Sequence, residues 1–153
     1  MAVMSQHDDV VRHVATTRFP FPNQQDWPAD YETIVNAGQR RRAVPTAQGE
    51  AYPDIVIVGG DGAVREMGEV ETDLAPEMAA KWRAYSDAVP VHPDTGVRHF
   101  FVYVPAGQED AAKVMLEDGG ISYAGLRGYR FESDGTIRIV PHTTPGAAQD
   151  HRE

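Results

Sequence analysis

The chain has 153 residues, 41% hydrophobic and 24% charged, with a formal net charge of −9 at pH 7. That length supports one domain with its own core, and the absence of cysteine excludes thiolate zinc sites and thiol redox catalysis. The acidic balance weighs against tight non-specific nucleic-acid binding, which depends on phosphate neutralisation by Lys and Arg, although Arg40–Arg42 and the group Arg127, Arg130 and Arg138 are local exceptions.

In chain order, residues 6–17 read as a short helix. Val10, Val11 and Val14 share one face, Ser5 is a fitting N-cap, and Asp8 and Asp9 occupy the favoured first turn. The stretch FPFPNQQDWPAD carries three prolines and reads as a loop. YETIVNAG then reads as a strand closed by Gly38, and QRRRAVPTAQGEAY, which has no period, as a mobile loop. PDIVIV and AVREMGEVET are two β-branched runs joined by GGDG, the chemistry of a hairpin. A helix is expected from about Pro76 to Val89, with Met78, Trp82 and Tyr85 at helical spacing.

The uninterrupted apolar run HFFVYVP predicts a central strand covered on both faces. AGQEDAAKVMLEDGG predicts a helix with Ala112, Met115 and Leu116 inward. YAGLRGYRFE and GTIRIVPH predict a terminal strand or hairpin. Residues 1–142 are expected to form the domain and 143–153 a polar, frayed tail. The expected class is α/β (α+β), with a mixed sheet between helices.

GEVET, residues 68–72, poses the chemical question. Glu69 and Glu71 share a strand face with Met67, about 6.6–7 Å apart, and Asp54 opens the facing arm about 4.8 Å away. Three carboxylates around one point raise one another's pKa values. Mg²⁺ (or Mn²⁺) relieves that conflict, since it favours a few carboxylates plus water and phosphate oxygens. Bound there, it supports phosphodiester hydrolysis.

The element order, Pro53-Asp54 and the Glu-Val-Glu of residues 69–71 together resemble the PD-(D/E)XK nuclease superfamily over about residues 5–118. The resemblance implies a restriction-endonuclease-like αβββαβ core, with Asp54 and Glu69 as the family's acidic metal ligands and Glu71 beside them. The family's lysine is Glu71 here. Some members carry Glu or Gln at that place, and others supply the lysine from the following helix, where Lys81 is the candidate. Arg65 shares the strand face but lies about 13 Å from Glu69 at strand rise. Asp8, Asp9 and Glu32 are candidates for the acid that the family often carries on its first helix.

The catalytic set expected is therefore Asp54, Glu69, Glu71 and Lys81, with the three acids as metal ligands. DNA or RNA is the expected partner, through Arg40, Arg41, Arg42, Arg127 and Arg130. The alternatives are a non-catalytic domain of the same fold that binds a protein partner or forms a homodimer, and a small-ligand binder using the same cleft. The GGDG turn precedes a strand where a phosphate loop needs a helix. The six histidines lack His-Glu-x-x-His spacing, so surface or packing roles are expected. No apolar run reaches the roughly 18–20 residues of a membrane span. The N-terminus lacks signal-peptide order, so a cytoplasmic location is expected.

Overall fold

The computed structural model describes residues 5–145 except 21, 23 and 26. It contains α1 (Gln6–Arg18), β1 (Glu32–Val35), β2 (Val44–Thr46), β3 (Gly49–Ala51), β4 (Ile55–Val58), β5 (Val64–Val70), α2 (Met78–Asp87), β6 (Phe100–Pro105), α3 (Glu109–Asp118), β7 (Gly125–Phe131) and β8 (Ile137–Thr143). Of the expected polar tail, residues 146–153 lie outside the described residues, and Thr143 closes β8. No helix among the described residues is long and apolar enough to cross a membrane.

Six strands form one mixed sheet in the order β1-β4-β5-β6-β7-β8. The pairs β5–β6 and β6–β7 are parallel, and β1–β4, β4–β5 and β7–β8 are antiparallel. The sheet needs this mixture because α2 and α3 each return the chain to a parallel neighbour, whereas a turn joins β4 to β5. In that turn Gly62 stands at φ +81°, where a side chain would strain the backbone. As the apolar run implies, β6 is central and is buried from Phe100 to Val104.

Strand alternation divides the core into two layers. Val56, Met67, Phe100 and Val102 pack against Trp82 and Tyr85 of α2 and Leu116 of α3. Ile55, Ile57, Val70 and Phe101 pack against Val10, Val11 and Val14 of α1. The Ser5 hydroxyl accepts the N–H of Asp8 at 3.1 Å, and so caps α1 where the sequence places the cap.

Three expectations are corrected. The stretch read as a mobile loop contains the β2–β3 hairpin, with Val44 buried and Thr46 accepting the N–H of Gln48. Two three-residue strands with Pro45 between their neighbours are too short to show a period. Arg127, expected to contact nucleic acid, is only 1% exposed. Its guanidinium donates to the Thr143 carbonyl and fills space that a Cβ at Gly125 would occupy. Arg42 is half-buried and turned inward, donating to the Gly62 carbonyl at 2.6 Å, so it clips the β4–β5 turn.

Candidate active site

The hairpin pairs Ile55 with Gly68 and Val56 with Met67, which sets Asp54 across from Glu69. The N–H of Asp54 donates to Oε1 of Glu69 at 3.0 Å, and the N–H of Val70 donates to Oδ2 of Asp54 at 2.9 Å. Glu71 lies just past the end of β5, and its N–H continues the ladder to the Tyr103 carbonyl at 2.9 Å. Glu69 and Glu71 face the α2 side, while Val70 points into the α1 side of the core. Asp54 and Glu69 thus meet across the hairpin, while the Asp54 carboxylate turns to the Val70 N–H and the Glu71 carboxylate turns to α2.

Lys81 joins them from the first turn of α2. Its ammonium lies 3.0 Å from Oε2 of Glu69 and 2.6 Å from Oε2 of Glu71. Burial alone would lower its pKa, but Glu69 and Glu71 outweigh that and hold Lys81 above the ordinary lysine value. It therefore stays protonated and acts as a fixed positive charge. The adjacent Trp82, expected in the core, is fully buried and also donates its indole N–H to Oε2 of Glu71 at 2.8 Å. Arg65, by contrast, pairs with Asp61 at 2.9 Å, away from the acids.

Two groups at the site were not expected from the sequence. Nε2 of His7 on α1 lies 3.1 Å from Oδ2 of Asp54, and its Nδ1 lies 3.0 Å from Asp8. The hydrogen bond to Asp54, helped by the charges of Asp54 and Asp8 against the cost of burial, pushes the His7 pKa up to about 9. The Tyr129 hydroxyl donates to the Glu71 carbonyl at 2.7 Å. Neither had a signal in residue spacing, because each partner lies far away along the chain. The nearby Tyr85 hydroxyl is pushed up to about 12, by burial first and then by the charge of Glu69.

Glu69 carries the electrostatic tension of the site. Burial first and the Asp54 carboxylate second push its pKa well above the usual carboxylate range, with Glu71 adding to the effect and Lys81 opposing it. Charges this close and this dry interact strongly. A hard divalent cation would relieve the repulsion, and the donors are the oxygen ligands that Mg²⁺ takes. Among the described residues no three His, Asp or Glu side chains converge as a ready cage. Asp54 and Glu69 are the pair that would hold the ion, with waters and substrate oxygens completing the shell. Glu71 is engaged with Trp82 and Lys81 instead.

Of the remaining sequence candidates, Arg130 is exposed, pairs with Glu132 at 3.2 Å, and lines a cavity of about 310 Å³ that also touches Gln6 and Thr72 beside the acids. The Arg40 guanidinium sits 4.8 Å over the ring of Tyr52, and Arg41 is exposed. Asp9 and Glu32 are exposed, and the Asp8 carboxylate meets Nδ1 of His7. Compared with known proteins, the chain matches no protein-family model, no curated protein and no solved structure.

Proposed function

We propose that this protein is a metal-assisted phosphodiesterase acting on nucleic acid, with the PD-(D/E)XK arrangement in which the lysine has moved from the strand to the following helix. The observation that carries the reading is the Lys81 ammonium placed between Glu69 and Glu71. A buried pair of acids on a strand, facing a third acid and holding one lysine in common, has little use in a solvated sheet edge. The element order supports the same reading: leaving aside the small β2–β3 hairpin, it runs α1, β1, β4, β5, α2, β6.

Asp54 and Glu69 would hold Mg²⁺ or Mn²⁺, which when bound lowers the pKa of water and stabilises charge on the phosphate. The protein's own groups then have separate tasks. Lys81 orients the attacking water and stabilises negative charge developing on the phosphoryl oxygens. Glu71 and Trp82 fix the direction of the Lys81 ammonium, because Glu71 accepts from both. His7 holds the Asp54 carboxylate in one orientation, as does the N–H of Val70.

A non-catalytic, protein-binding domain of the same fold is the second reading. It is favoured by an apolar surface where Leu74, Pro76, Val114 and Met115 meet, with Val114 57% exposed. Cleavage of plasmid DNA and of single-stranded RNA, with Mg²⁺, with Mn²⁺ and with EDTA, separates the two. Metal-dependent cleavage that disappears in Lys81→Met supports the enzyme. A wild type inert on every substrate supports the binding domain.

A further inference from the structure

Further along α1 from His7, the helix and the loop between β1 and β2 enclose a groove of about 400 Å³. Among the described residues its walls carry Arg12 from the helix and Arg41 from the loop and no carboxylate, in a chain of net charge −9. Both arginines are exposed. The groove is held in shape by specific contacts. Gly38 turns the loop at φ +80°, and a Cβ there would lie 3.3 Å from Nη2 of Arg12, so the guanidinium rests against that turn.

The loop is also tied to the acidic cleft. Asn36 is buried, and its Oδ1 accepts the N–H groups of Arg41 and Arg42, both at 2.9 Å. Its Nδ2 donates to the carbonyls of Arg42 at 3.0 Å and Pro53 at 2.7 Å. Its own N–H donates to the Asp54 carbonyl at 2.9 Å. One side chain therefore fixes the basic loop against the segment that carries Asp54. The Arg40–Tyr52 stack holds a third guanidinium beside that same segment.

We propose that this groove binds phosphate groups of the nucleic-acid strand whose scissile bond lies at Asp54 and Glu69. Arg12 and Arg41 are the phosphate contacts, and Asn36 is the positioning residue. The inference rests on the phosphodiesterase reading of the cleft. Guanidinium forks suit phosphate oxygens better than an ammonium does. Arg12 stands about 7.5 Å along the helix axis from His7, at about 1.5 Å per residue. A strand crossing from the cleft would carry its phosphates toward Arg12 and Arg41.

The test is fluorescence anisotropy with labelled duplex DNA and single-stranded RNA in EDTA, over a series of salt concentrations. Arg12→Gln with Arg41→Gln should weaken binding about tenfold or more and reduce the slope of log affinity against log salt by about 2. Arg83→Gln with Arg138→Gln, which removes the same charge from exposed positions elsewhere, should change neither. Equal losses in both double variants, an unchanged slope in the first, or a wild type that binds no nucleic acid would overturn the groove. The cleft is read separately, through hydrolysis of bis(4-nitrophenyl) phosphate by the wild type with Mg²⁺. Hydrolysis without groove-dependent binding keeps the cleft and removes the groove. Groove-dependent binding without hydrolysis of any diester keeps the phosphate contacts and removes the enzyme.

Discussion

Asp54 and Glu69 hold one another across the hairpin: the N–H of Asp54 donates to Oε1 of Glu69, and the Asp54 carboxylate accepts the N–H of the residue next to Glu69. Each acid is oriented by the backbone of the facing strand. This arrangement keeps two carboxylates together in spite of their repulsion, and it leaves their charge as the variable that a ligand can change.

The first prediction concerns metal. Mg²⁺ or Mn²⁺ should raise the melting temperature of the wild type, because a ligand that binds only the folded state stabilises it, by about 2.7 kcal/mol at 100 times its Kd. Asp54→Asn keeps an oxygen for the Val70 N–H but loses the charge, and the metal effect should vanish with it. Thermal denaturation with and without millimolar metal checks both. A wild-type transition that does not move with metal would count against the site.

Lys81→Met should cost about 3 kcal/mol, the low end for breaking a buried ion pair, because the Lys81 side chain is 33% exposed. Metal-dependent cleavage should fall about 10²-fold or more, the usual loss when one preorganised charge is removed from a transition state. Mg²⁺ should still bind, and should raise the melting temperature of this variant more than that of the wild type, since Glu69 and Glu71 have lost their counter-charge. Calorimetric titration together with melting curves reads both effects. Full cleavage by Lys81→Met would remove Lys81 from the mechanism.

Trp82→Phe preserves an aromatic ring at a fully buried position but deletes the donor to Glu71. The buried acceptor should cost about 1–3 kcal/mol, seen as a lower urea midpoint with an unchanged m-value. Cleavage should also drop, because Lys81 then shares Glu71 with no second donor. A variant as stable and as active as the wild type would show that the indole is only filler.

His7 gives the site a pH dependence. Its pKa rises from an ordinary 6.5 to about 9 on folding, chiefly through the hydrogen bond to Asp54. A raised folded-state value means that the contribution is complete below about pH 6.5 and is lost as pH rises toward 9. The stability difference between wild type and His7→Gln should therefore be constant in acid and shrink across that window. Urea denaturation of both proteins from pH 6 to pH 9.5 measures it, and parallel curves would show that the Asp54 contact does not form.

Much of this site was legible because its parts obey short periods. Alternation alone put Glu69 and Glu71 on one face with Asp54 opposite, and helix rise brought Lys81 within reach of them. Trp82 was only half legible, since an apolar aromatic at helical spacing announces burial but not the acceptor waiting for its N–H. His7 was not legible at all: its partner lies 47 residues away, and docking of α1 on the sheet creates the contact. Arg127 misled for a related reason. An arginine next to a glycine in a strand suggests an exposed turn, yet β7 lies between β6 and β8, and Gly125 clears the room for the side chain.

The order of the residues along the chain has a consequence for assembly. Asp54, Glu69, Glu71, Lys81 and Trp82 all belong to one continuous stretch, from the start of β4 into α2. Contacts close in sequence cost little loop entropy. The acids and their lysine can therefore meet while β6, β7 and β8 are still unplaced, so the carboxylates need not wait, uncompensated, for the sheet to close. Tyr129 arrives from 58 residues beyond Glu71 and donates to its carbonyl. Its contact closes the longest loop of those described at the site.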